Sequence, residues 1–205
     1  MLLDIGIGAA ASESIIVPDW NIGAASTASI GPKSQYWPLF IPSGTRIAAR
    51  TAGVILNDTC AFSMMLDQEF PFGPPSTLDR VTSYGVTAVG SKGINVITGA
   101  NAYGSWTQLT AATSSDHDAW AVSLGQAADV TVTGGAIFVQ LGVGPTAGPQ
   151  VIGEWIFATN VNEEISGPIP DKPTWQPVPS GTAICARVAA AATTETFDVI
   201  AHGLG

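Results

Sequence analysis

Apolar and polar residues alternate along most of this chain, in runs of about four to eight residues bounded by Gly, Pro, Asn and Ser. The first run is Leu3-Asp4-Ile5-Gly6-Ile7-Gly8. It places Leu3, Ile5 and Ile7 on one face and glycines on the other, where a backbone or a flat partner can come close. Ile15-Ile16-Val17 follows. A third run starts behind the turn Pro42-Ser43-Gly44, with Thr45, Ile47 and Ala49 on one face and Arg46, Ala48 and Arg50 on the other. Thr59-Cys60-Ala61-Phe62-Ser63-Met64 reads as a fourth strand, with Cys60, Phe62 and Met64 pointing inward. Further strands are predicted over 84–89, 95–97, 105–109, 119–124 and 130–132, while 21–34 reads as loop. Helical periodicity is nearly absent; the short Ala run at 189–192 lies between strand patterns.

The pattern then recurs. Val139-Gln140-Leu141-Gly142-Val143-Gly144 repeats the first run 136 residues on, and Val151-Ile152 repeats the second. Ile41-Pro42-Ser43-Gly44-Thr45-Arg46-Ile47-Ala48-Ala49-Arg50 returns 137 residues on as Val178-Pro179-Ser180-Gly181-Thr182-Ala183-Ile184-Cys185-Ala186-Arg187. Phe197, Val199 and Ala201 stand where Cys60, Phe62 and Met64 stand in the first copy. The inward phase is kept throughout, and a slip of one residue would invert every face. Gly44, Thr45 and Arg50, with Gly181, Thr182 and Arg187, are the matched residues of the signature segment. Gly73 and three prolines mark 71–79 as a linker. The expected organisation is therefore a half unit over 1–70 and a full unit over 80–205, in an all-β, jelly-roll-like sandwich with an internal repeat. Half a sandwich has open edges and an uncovered face. Residues 1–70 are thus expected to be completed by another chain or to pack against the full unit.

Composition changes this picture in one respect. Of 205 residues 46% are apolar, enough for a sizeable core, but only 11% are charged. That is well under the usual quarter or so. A surface made of Gly, Ala, Ser and Thr is readily buried against neighbours, which points to assembly and a homo-oligomer. The net charge of −9, with three Lys and four Arg, argues against a nucleic-acid partner. No apolar run is long enough for a membrane span. The start, Met1-Leu2-Leu3-Asp4, lacks a basic region and has an early acid, the pattern of a chain without an export signal. Cys60 and Cys185 face apolar counterparts in the repeat and are expected to pack as free thiols.

No catalytic motif stands out. Gly6-Ile7-Gly8-Ala9-Ala10-Ala11 and Gly142-Val143-Gly144-Pro145-Thr146-Ala147 fit a dinucleotide fingerprint, but a strand rather than a helix follows each, so no cofactor is expected. Asp116-His117-Asp118 is the compact cluster of metal-ligand types; Asp116 and Asp118 would share a face and His117 would point away, so they are weak metal candidates. Neither His117 nor His202 has a nucleophile in a recognisable setting. The acids Glu13, Glu69, Glu154, Glu163 and Glu164 are scattered, and Asn57-Asp58-Thr59, although a sequon, reads as a turn. Six tryptophans invite a sugar-stacking role. Trp37 and Trp175 precede corresponding turns and are the candidate ligand or interface aromatics. Arg50 and Arg187, recurring on a small-residue face, are expected to meet a carboxylate or carbonyls within the fold, or a neighbouring subunit.

Three segments carry a resemblance: Asp4-Ile5-Gly6-Ile7-Gly8-Ala9-Ala10, the signature segment from Ile41 to Arg50, and Trp106-Thr107-Gln108-Leu109-Thr110-Ala111. The chain resembles virion structural proteins of tailed bacteriophages in which a β-sandwich unit, running from a Trp-Thr-like strand to a Gly-Thr-Arg-like strand, is repeated. It departs from that pattern in lacking the first half of its first unit. The resemblance implies a non-enzymatic accessory protein of the tail or head surface, assembled in the host cytoplasm and partnered by other virion proteins. It supplies no catalytic residues. The alternative expectation is a carbohydrate-binding or host-recognition module taking a host surface glycan.

Overall fold

The computed structural model describes residues 1–22, 33–53, 60–67, 77–87, 92–126, 135–159, 165–191 and 195–205, and among them the chain is all-β, without helix. In chain order the strands are β1 (Leu2–Ile7), β2 (Ser14–Asn21), β3 (Ile47–Ala52), β4 (Val81–Tyr84), β5 (Ile94–Ile97), β6 (Gly99–Ala100), β7 (Ala102–Tyr103) and β8 (Thr107–Thr110). They continue as β9 (His117–Gln126), β10 (Gly135–Val143), β11 (Gln150–Thr159), β12 (Ile165–Ile169), β13 (Thr174–Val178), β14 (Ile184–Ala190) and β15 (Thr196–Leu204). Three sheets result, in the orders β2-β1-β3, β12-β11-β10-β14-β6-β7 with β8 also on β14, and β13-β9-β15-β4 with β5 also on β15.

β1 sits between β2 and β3, and β10 sits between β11 and β14, all antiparallel. Gly6 lies across from Ile15 and Ile7 from Ser14, while Gly142 lies across from Val151 and Val143 from Gln150. Each ladder shifts just before its glycine, between Ile5 and Gly6 and between Leu141 and Gly142. On the other side Asp4 faces Arg50 and Ile7 faces Ile47; Gln140 faces Arg187 and Val143 faces Ile184. The turns ahead of β3 and β14 share a left-handed glycine, Gly44 at φ 78° and Gly181 at φ 82°. A side chain with Cβ is strained there, which is why glycine holds both places.

Alternation along β9 and β15 explains the layering. Trp120, Val122 and Leu124, with Phe197, Val199 and Ala201, point to one side and pack on Val139, Leu141, Trp155, Phe157, Ile184 and Val188 of the large sheet. Ala119, Ala121 and Leu204 point to the other side and pack on Leu3, Ile5, Ile16 and Val17, with Leu78 and Val81. The five-stranded sheet is thus buried on both faces, between two cores. Alanines on its second face let the three-stranded sheet come close. Side-chain bonds tie the layers: Ser83 Oγ donates to the Pro18 carbonyl at 2.7 Å, and Asn21 N donates to Ser123 Oγ at 3.3 Å. Lys33 Nζ donates to the carbonyls of Leu124 at 2.6 Å and Asn21 at 3.3 Å.

Several strands differ from the sequence expectation. Residues 60–67 form no strand; Phe62, Met64, Met65 and Leu66 are exposed, so the predicted inward set of Cys60, Phe62 and Met64 is corrected. β15, which carries Phe197, Val199 and Ala201, is held by β9, β4 and β5, whereas among the described residues no strand pairs with 60–67. β4 runs earlier than the predicted 84–89, because Gly85 turns left-handed at φ 90° against the Val199 carbonyl. β12 and β13 went unpredicted. Pro168 and Pro177 argue against strands, and both strands lie at sheet edges, where a missing N–H is tolerated. The predicted strand at 130–132, the sequon at 57–59, Glu69, Glu163, Glu164 and most of the 71–79 linker and of the 21–34 loop fall outside the described residues.

Phe197 is fully buried in the first core. Its truncation removes about 3–5 kcal/mol of stability, the usual cost of deleting a buried ring. Phe197→Ala should therefore lower the urea midpoint of unfolding sharply while leaving the far-ultraviolet spectrum of the folded protein that of a β protein.

Candidate functional site

The outward face of the large sheet holds a linked cluster of polar and aromatic side chains. β10 and β14 bring Gln140 opposite Arg187, and β11 brings Glu154 opposite Gln140, one row across three strands. Arg187 Nε and Nη2 donate to Gln140 Oε1 at 2.8 and 2.7 Å. Gln140 Nε2 donates to Glu154 Oε2 at 2.6 Å, and the Tyr103 hydroxyl donates to the same oxygen at 2.5 Å. The guanidinium carbon lies 4.6 Å from the centre of the Tyr103 ring and 4.5 Å from that of Trp106. Burial, followed by the bond to Glu154, pushes the Tyr103 phenol well above its ordinary value. Trp106 lies against Gly142, where an added Cβ would stand 3.0 Å from the six-membered ring of the indole. The glycine face predicted from the sequence thus receives an aromatic ring from its own chain.

On the three-stranded sheet the row that joins Asp4 to Arg50 is simpler. Arg50 Nε donates to Asp4 Oδ2 at 2.7 Å, and Asp19 N donates to Asp4 Oδ1 at 2.7 Å. The Arg50 side chain is 73% exposed and has no ring over it among the described residues.

Both histidines are buried in the middle sheet. His202 Nδ1 meets Ser83 Oγ and Nε2 meets Ser123 Oγ, each at 2.9 Å. Ser83 spends its proton on Pro18, so Nδ1 carries the hydrogen; Ser123 accepts from Asn21 N and donates to Nε2. Complete burial pulls the His202 imidazole down to about 3. His117 Nε2 shares a hydrogen bond of 2.6 Å with the Tyr84 hydroxyl, and burial, reinforced by Arg80, pulls this imidazole down to about 4. Both rings are neutral at pH 7 and are bonded to hydroxyls of their own chain. Neither is placed to pass a proton to a solvent-borne substrate. Burial likewise pulls the Lys33 ammonium down to about 7.

The remaining sequence candidates separate. Asp116 and Asp118 are exposed, and Asp116 Oδ1 accepts from Ser180 N at 2.7 Å, so it fixes the second signature turn. Thr113 holds the same turn through Pro179, Gly181 and Thr182. Among the described residues no three His, Cys, Asp or Glu side chains gather as metal ligands. Thr182 Oγ1 donates to the Pro179 carbonyl at 2.7 Å, and Thr45 N to the Pro42 carbonyl at 3.2 Å. Trp37 packs edge-on to Trp20 and His202 in the second core, whereas Trp175 is 61% exposed. Cys60 and Cys185 are free thiols, the latter buried. Both glycine motifs lead into hairpin turns, so no helix N-terminus meets a phosphate there. Sequence reasoning missed the Tyr103–Trp106–Glu154 surroundings of Arg187; the alternation that put Gln140 and Arg187 outward was the signal available for them.

Two outcomes follow from this geometry. Arg187→Lys keeps the charge but loses the planar stack and the paired donors, and should cost about 1–2 kcal/mol. Altered emission from Trp106, read against Trp106→Phe, would report the lost stack. Unfolded histidine takes up a proton near 6.5, whereas His117 and His202 resist until about 4 and about 3. Stability from these neutral rings is therefore full above pH 6.5 and lost progressively as pH falls toward 4. Urea midpoints measured from pH 7 down should trace that decline, and His202→Asn should flatten it.

No family model matches the chain, and no curated protein or solved structure matches it.

Proposed function

We propose that the chain is a non-enzymatic structural subunit of a tailed-bacteriophage particle, an accessory protein of the tail or head surface that acts by packing against other virion subunits and copies of itself. The observation that carries this is the contrast between the two equivalent strands β3 and β14. The β1–β3 and β10–β14 ladders coincide along their length under the shifts of 136 and 137 residues read from the sequence, and the β1–β2 and β10–β11 ladders coincide from Ile5 to Ile7 and from Leu141 to Val143, which supports an internal repeat of a half unit and a full, jelly-roll-like unit. In the full unit the far edge of β14 is covered by β6, β7 and β8. In the half unit β3 pairs with β1 alone among the described residues. An open edge close in sequence to exposed Phe62, Met64, Met65 and Leu66 is a surface suited to a neighbour, not to water. Sparse charge works in the same direction. The ionisable groups support a role without chemistry, since the imidazoles are buried and neutral and the Arg187 cluster is turned on itself.

A second reading, a carbohydrate-binding or host-recognition module, is favoured by one observation: the Trp175 indole stands 61% exposed, open to the face of a sugar ring.

Mass spectrometry of purified particles from the source culture, with immunogold labelling, should find this chain at fixed stoichiometry on the head or tail. Its absence from washed particles would overturn the structural role. A glycan array showing binding that Trp175→Ala abolishes would favour the second reading.

A further inference from the structure

The segment 60–66 is a strand sequence without a sheet. Its alternating Cys60, Phe62 and Met64 stand 137 residues before Phe197, Val199 and Ala201 of β15, all fully buried. Here residues 61–67 are exposed throughout, Phe62 at 51%, Met65 at 91% and Leu66 at 60%. The segment holds no Gly, no Pro and no charge, the composition that adds readily to an open edge.

The complementary defect lies on β3. Ala49, Arg50, Thr51 and Ala52 are exposed, whereas Ala186, Val188 and Ala189 at the matching places of β14 are buried. β8 closes the β14 edge, with Thr107 across from Ala186, Gln108 from Cys185 and Thr110 from Ile184. Trp106, one residue ahead of β8, reaches over Arg187. Among the described residues Arg50 has neither an adjoining strand on that edge nor a ring over it.

We infer that residues 60–66 of one copy add as an antiparallel strand to the free edge of β3 in a second copy. The added strand stands where β8 stands in the full unit. One set of its alternate side chains covers Ala49 and Thr51, and the other brings Phe62 to the Arg50 side chain. The occupant is a second copy because the chain carries both halves of the contact: what one copy exposes, the next lacks. Charge does not oppose the contact. At a net charge of −9 two copies repel over most of their surface, yet this segment is uncharged, and Arg46 and Arg50, on β3 and its preceding turn, are each paired with a carboxylate of their own chain, Glu13 and Asp4. Reciprocal exchange closes a dimer, and head-to-tail exchange closes a ring. The inference deepens the assembly role proposed above and rests on the internal repeat.

Sedimentation of the full chain should show a dimer or a larger closed assembly. Phe62→Asp with Met64→Asp should weaken self-association about tenfold or more. These side chains are exposed in the single chain, so its spectrum and unfolding midpoint should not move. A cross-linking series gives an independent readout. In a Cys60→Ser background, a chain carrying Ser63→Cys is mixed with chains carrying Ile47→Cys, Ala49→Cys or Thr51→Cys and oxidised. A covalent dimer should form between the two proteins, strongest at one of the three positions, which fixes the register. A protein that stays monomeric at its highest soluble concentration overturns the exchange. So does an oligomer that is indifferent to residues 62 and 64 and gives no cross-link to β3. Neither result bears on whether the chain is found in particles, so this inference and the structural role fail separately.

Discussion

The fold depends on a sheet that must be covered on both faces. β9 and β15 carry large apolar side chains toward the first core and Ala119, Ala121 and Leu204 toward the second, so the five-stranded sheet has no water-facing side along its centre. In an ordinary two-layer sandwich the second set of side chains would be polar. Here the three-stranded sheet of β1, β2 and β3 supplies the missing layer. The apolar face of the three-stranded sheet is in turn buried against the second face of the middle sheet. Among the described residues the outer edge of β3 has no strand beside it.

Burying both faces also buries polar groups, and those around His202 are satisfied in turn. His202 and Ser123 lie on the second face of the middle sheet, a place where unsatisfied polar atoms would oppose packing. The relay from Asn21 N through Ser123, His202 and Ser83 to the Pro18 carbonyl satisfies each in turn. Both ends of that relay lie on β2. The histidine therefore fixes where the three-stranded sheet sits, because a shift along the strand would leave a neutral imidazole without its hydroxyls. The apolar contacts between the layers have no comparable directionality.

Much of this was legible in the sequence because period-two alternation, turn glycines and a matched spacing all act locally. The buried faces of β1 and β10 follow from the phase of Leu3, Ile5 and Ile7 and of Val139, Leu141 and Val143. The outward direction of Arg50 and Arg187 follows likewise. Local signals fail where pairing is supplied from elsewhere. Cys60, Phe62 and Met64 alternate as well as Phe197, Val199 and Ala201, but a strand needs a neighbour, and letters do not show whether one is present. β12 and β13 were hidden for the opposite reason: their prolines weaken the local signal, and only an edge position makes them acceptable. Trp37 and Trp175 stand at corresponding places yet end up buried in a core and exposed, since the layers around them differ. The aromatic sandwich on Arg187 required knowing that Tyr103 and Trp106 come from the segment lying along β14.

β15 has one more implication, for the order of synthesis. It contributes to both cores and pairs with β9, β4 and β5, yet it follows every other described strand in sequence. While the ribosome is still making residues 1–190, the central sheet lacks the strand that joins β9 to β4, and neither apolar layer has its full counterpart. Native closure has to wait for residues 196–204, and a chain interrupted before them leaves two apolar surfaces open to chaperones and proteases.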